Sequence, residues 1–235
     1  MRTLTWTFVA ASAAGSAAMA AVVPSLPLNS PVAMRAVAGR VQPLVVAVRS
    51  QALFAIGARG GPSEQYEAVS EASGVLVGEG LVVTTLHAVA LPGSDGQPRP
   101  VSEVQVVVAG LAAFPARVAA LEPVLGLAVL ELSGPTEHLG GAALARLPAG
   151  AGDALIAVAC LGDRWSAVEA AVEDGGPLRL RTAAPLDSRF WGAPLFNREG
   201  ELAGLLTPDA RGQTALIAAD LIRALLEAHA GSVPE

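Results

Sequence analysis

Lysine is absent from this 235-residue chain, so all fifteen basic side chains are arginine. That usage reads as the coding bias of a GC-rich genome. There is one cysteine, Cys160, which excludes an intrachain disulfide. It lies in the apolar run Ala154 to Leu161 and reads as a small buried hydrophobe rather than a reactive thiol. Charged residues make up only 15% of the chain, and the arginines are scattered singly within a net charge of −6. No basic footprint for nucleic acid follows from that. The three histidines, His87, His138 and His229, share no metal-ligand spacing, so no zinc site is expected, and no cofactor motif is present.

What the chain has is apolar residues, at 52%. That supply excludes disorder over the whole length and suffices for one large domain or two small ones sharing an interface. Arg2 is followed by an uncharged stretch from Thr3 to Val23, with a small-x-small site at Ala18-Met19-Ala20 and then Pro24. This layout predicts a secretory signal peptide over 1–20. The rival is an uncleaved anchor, since the stretch sits at the short, weak end for a spanning helix. Export without a disulfide points to a bacterial periplasm, or to secretion. Membrane association is expected only if the N-terminal segment stays uncleaved.

Residues 21–40, rich in Pro, Ala and Ser, read as a linker. Beyond them come short β-branched runs broken by Gly, Pro and Asp. Six lie before a break at Gly134-Pro135 to Gly140: Leu44 to Val48, Gly74 to Val77, Leu81 to Thr85, Val104 to Val108, Phe114 to Leu121 and Leu127 to Leu132. Six follow it: Ala154 to Cys160, Ala167 to Val172, Leu178 to Thr182, Ala193 to Phe196, Leu202 to Leu206 and Thr214 to Ile217. Gly78-Glu79-Gly80 and Asn197 to Gly200 read as tight turns between neighbouring runs. Residues 219–230 carry apolar positions at helical spacing and predict a closing helix. The class expected is all-β, barrel or sandwich, with one strand group over 41–135, a second over 136–218 and a helix over 219–230.

Three segments in order carry a family resemblance. Ser73-Gly74-Val75-Leu76-Val77 leads to Thr84-Thr85-Leu86-His87; Ala116-Arg117-Val118 leads to Gly126-Leu127-Ala128-Val129-Leu130; Arg189 to Leu195 is followed by Gly200 and Gly204. Over about Val41 to Ala230 the chain resembles a trypsin-like serine protease domain of the HtrA (Deg) type. The resemblance implies two six-stranded antiparallel β-barrels with a cleft between them.

It also implies which positions should carry chemistry, and this chain departs from them. His87 matches the triad histidine. The aspartate that orients it falls on Gly126, which offers no acceptor; in well-studied enzymes of this kind that loss costs about 10⁴ in turnover. The nucleophilic serine falls on Trp191, whose indole can only donate a hydrogen bond; losing the serine costs about 10⁶. The oxyanion-loop glycine falls on Arg189, where a positive φ would be costly.

The resemblance therefore implies a protease fold whose catalytic positions are vacated, acting by binding a polypeptide or envelope protein. Two alternatives stay open. One is a working endopeptidase pairing His87 with Ser188, which needs three extra residues inserted ahead of Gly192. The other is a structural subunit of an envelope assembly. Glu122 is a weaker substitute orienter for His87. Trp191 and its neighbour Phe190 read either as filling of the vacated site or as a wall of a peptide groove.

Overall fold

The computed structural model describes residues 31–56, 64–93, 95–108, 113–162, 164–173, 180–182, 184, 186–208 and 214–231. The expected signal peptide, residues 21–30 of the expected linker, and Leu178 and Arg179 of the third late strand lie outside these residues.

The early runs pair as foreseen. β1 (Val45–Ile56), β2 (Glu64–Gly78) and β3 (Leu81–Thr85) are joined edge to edge. The hairpin between β2 and β3 turns through Gly78, Glu79 and Gly80, all at positive φ. A single 3₁₀ turn, Leu86–Ala88, carries His87. Next comes a small hairpin of β4 (Ala90–Pro92) and β5 (Pro98–Pro100), which the apolar pattern did not announce because its strands are only three residues long. β6 (Glu103–Val108), β7 (Ala113–Glu122) and β8 (Leu127–Leu132) follow. The order β1-β2-β3-β8-β7-β6 closes into a barrel, with β6 returning to β1.

The second half contributes β9 (Ala154–Leu161), β10 (Arg164–Val172) and β11 (Leu180–Thr182). A 3₁₀ turn at Ser188–Phe190 precedes β12 (Pro194–Phe196), β13 (Leu202–Pro208) and β14 (Thr214–Ala218). These six strands form a sheet in the order β11-β10-β9-β12-β13-β14. It is a six-stranded half-barrel beside the closed first one, and with the C-terminal helix it gives the two-unit all-β class expected. β11 offers only three ladder residues, and beyond it Thr214 Oγ1, at the start of β14, donates to Leu186 O at 2.8 Å.

Side-chain alternation along each strand sorts the core into layers. Val46, Val48, Leu76, Val82, Val106 and Leu130 fill the closed barrel. Their alternates Val45, Ala47, Val75, Val83 and Leu127 face outward instead. There they share one core with Ile156, Val158, Cys160, Phe196 and Leu205 of the second unit. The far side of that sheet holds Leu155, Ala157, Phe190, Leu195 and Leu206. Strands buried on both faces read as unbroken apolar runs, which is how these segments look in sequence.

Two helices frame the sheets. Part of the expected linker is a helix, α1 (Pro31–Val41). Its Met34, Val37 and Val41 recur at helical spacing and are buried in the shared core. Pro31 stands where proline suits a helix start, and Arg40 donates to Arg198 O at 3.2 Å. The foreseen closing helix is α2 (Ala219–Ala230), with Ile222 fully buried. Among the described residues no helix is long and apolar enough to cross a membrane.

Candidate active site

Strand β3 delivers His87 to the face where the two units meet. The amide of Leu86 donates to Gly126 O at 2.7 Å, which fixes the histidine turn beside the loop ahead of β8. So the turn that carries His87 and the Gly126 loop are neighbours. Gly126 brings no side chain to the imidazole. Its φ is +68°, and a Cβ added there would meet one outside heavy atom within 4 Å, Thr207 Oγ1 at 3.2 Å. Among the described residues no carboxylate hydrogen-bonds His87, Glu122 included; its recorded partner is Thr85 Oγ1, 3.4 Å from Nε2. Burial draws the His87 pKa down from 6.5 to about 4. The residue keeps an exposed face to solvent, which works against that depression, and the net direction is downward.

Trp191 closes the space opposite. Its indole meets the imidazole edge-on, with ring centroids 4.9 Å apart and planes at 86°. The indole N–H is buried without a partner. The backbone here is bolted to β2: Ser73 N donates to Trp191 O at 3.1 Å. Ser73 Oγ accepts from Cys160 N at 2.9 Å and donates to Cys160 O at 3.2 Å. Thr84 Oγ1 donates to Ser73 O at 2.7 Å. A serine quoted only as part of a motif is thus the polar link between the two units.

The 3₁₀ turn at Ser188–Phe190 decides what the amides can do. Arg189 N donates to Asp187 Oδ1 at 3.0 Å, Phe190 N to Asp187 O at 2.9 Å and Trp191 N to Ser188 O at 3.2 Å. Gly192 N donates to Leu206 O at 2.7 Å and Ala193 N to Phe190 O at 3.0 Å. All five amides are committed within the protein, and none points at a place where an oxyanion could form. Arg189 does not adopt a positive φ. Its guanidinium instead clasps Asp187, Nε at 2.9 and 3.0 Å and Nη2 at 2.7 Å. That hydrogen bonding holds the Asp187 carboxyl below its usual pKa and raises the Arg189 pKa.

Ser188 begins this turn, and no hydrogen bond joins it to His87. Phe190 is core filling, 4% exposed among Ala193, Leu195 and Leu206. Sequence reasoning missed Thr207, which is 3% exposed with its hydroxyl unpaired. The one signal for it was a threonine closing the apolar run Leu202 to Leu206. Elsewhere, a depression of about 470 Å³ lined by Arg146, Leu147, Asp153 and Arg198 contains none of these residues. Among the described residues no three His, Cys, Asp or Glu side chains converge on a point.

The family model for the trypsin-like peptidase domain matches residues 72–205, more than half of the chain and a span holding His87, Gly126, Ser188 and Trp191. No curated protein matches the chain.

Proposed function

The chain belongs to the trypsin-like peptidase domain family, and on that premise we propose that it is an exported, HtrA-like pseudoprotease that acts by binding polypeptide. The observation that carries the reading is the ring of Trp191 set against His87 at the nucleophile position. Indole has no nucleophilic oxygen to give up a proton to the imidazole. The loss of an orienter at Gly126 and of free amides around Arg189 points the same way. Three separate requirements of acyl transfer fail together, while the strands, turns and shared core that hold the two units are kept.

Such a scaffold offers what peptide recognition needs: a junction between two sheets and strand edges able to add an extended chain. Export is proposed from the N-terminal layout, and the partner is an envelope polypeptide; neither nucleic acid nor a cofactor is proposed. The test is casein cleavage by the purified chain beside a His87→Ala control. No turnover in either is the expected result. Turnover that disappears with His87 would overturn the reading in favour of an endopeptidase and make Ser188 the next residue to replace.

A further inference from the structure

Two side-chain polar atoms at the cleft are sealed from solvent and unpaired, Trp191 Nε1 and Thr207 Oγ1. They belong to adjoining segments: the Gly192 N to Leu206 O bond sets the residue after Trp191 against the residue before Thr207. Across the cleft, Thr207 Oγ1 faces the bare Cα of Gly126. Buried polar groups normally find partners, because leaving one unpaired forfeits its hydration for nothing. The closed cleft thus holds two unmade hydrogen bonds.

Their chemistry says what would satisfy them. An indole N–H only donates; a threonine hydroxyl both donates and accepts. An apolar ligand answers neither. Nothing draws an anion, since the guanidinium of Arg189 is already held by Asp187. A polypeptide main chain carries both carbonyl and N–H groups, and so offers a partner to each.

We infer that Trp191 is a displaceable plug in a polypeptide-binding cleft: an extended main chain moves the indole aside, accepts from its N–H and pairs with the Thr207 hydroxyl. This rests on the polypeptide-binding reading above and adds the atoms that meet the ligand.

The experiment compares wild type, Thr207→Val and Trp191→Phe, using fluorescein-labelled β-casein as an unfolded probe and its anisotropy as the readout. Each variant deletes one polar atom and keeps most of the shape. Each is expected to weaken binding about fivefold, the worth of one neutral hydrogen bond. Thr207→Val is expected to melt no lower than wild type, because it removes an unpaired buried group. A lower melting temperature for Thr207→Val would show that the hydroxyl is already satisfied and overturn the inference. So would wild-type affinity in both variants. Wild type that does not bind β-casein at all would overturn the polypeptide-binding reading itself, and the plug with it.

Discussion

The imidazole of His87 stands edge-on to the indole of Trp191, 4.9 Å between ring centroids. With no carboxylate hydrogen-bonded to it among the described residues, the imidazole is favoured in its neutral form, and burial lowers its pKa to about 4. The linkage has a definite sign. Between pH 6.5 and about 4 the unfolded chain binds the proton more readily, so this contribution to stability is complete above 6.5 and fades as the pH falls. A triad histidine paired with aspartate would behave in the opposite sense. Wild type is therefore expected to lose more melting temperature across that window than His87→Gln, which has no proton to take up. Parallel melting curves for the two proteins would contradict the environment described for His87.

Gly192 is held where no other residue fits. Its φ is +80°, and a Cβ would stand 2.0 Å from Ser73 O, a backbone atom that cannot turn away. Gly192→Ala must therefore break the Ser73–Trp191 link or shift β2 from the second unit. A loss of about 3 kcal/mol or more is expected in denaturant unfolding. A loss under about 1 kcal/mol would mean the two units are not locked together at this point.

Helix α1 offers a test of a segment the sequence disguised. Met34 is 1% exposed within the core shared by both units. Met34→Ala is expected to cost about 2–5 kcal/mol, the range for emptying a well-packed site. A linker would lose almost nothing. Urea unfolding of the single variant distinguishes the two.

That case shows where reading by pattern stops. The paired strands were legible because their β-branched runs end at glycines and prolines, and because burial on both faces leaves them continuously apolar. In α1, Met34, Val37 and Val41 also stand at helical spacing, but Pro, Ala and Ser around them carry the signal of a linker. The half-barrel's open edge was hidden because closure depends on how long β11 and β14 grow. At the site, His87, Gly126 and Trp191 could be placed because each sits a fixed distance from a recognisable strand. Thr207 could not, because its part is set by the fold, which places its hydroxyl where a side chain at Gly126 would point. The fate of the amides near Arg189 was equally hidden, since it turns on Asp187 capping its own turn.

On the pseudoprotease reading proposed above, a serine at position 191 alone should not give chemistry. In Trp191→Ser a hydroxyl stands beside His87, but among the described residues no carboxylate holds the imidazole's tautomer, and Arg189 N remains bonded to Asp187. Gly126→Asp would supply the acceptor, with its Cβ 3.2 Å from Thr207 Oγ1, tighter than van der Waals contact, so the hydroxyl must give by a few tenths of an ångström. The φ of +68° at that position adds a strain of about 1–2 kcal/mol for a side chain. Arg189→Gly would release the amide loop from the guanidinium clasp and permit a positive φ. The single variant is expected to show no casein turnover above a His87→Ala control, whereas the combination of all three is where turnover should first be detectable. Measurable cleavage by Trp191→Ser by itself would mean that neither Gly126 nor Arg189 is the obstacle, and that the amides seen bonded inward can turn outward when substrate arrives.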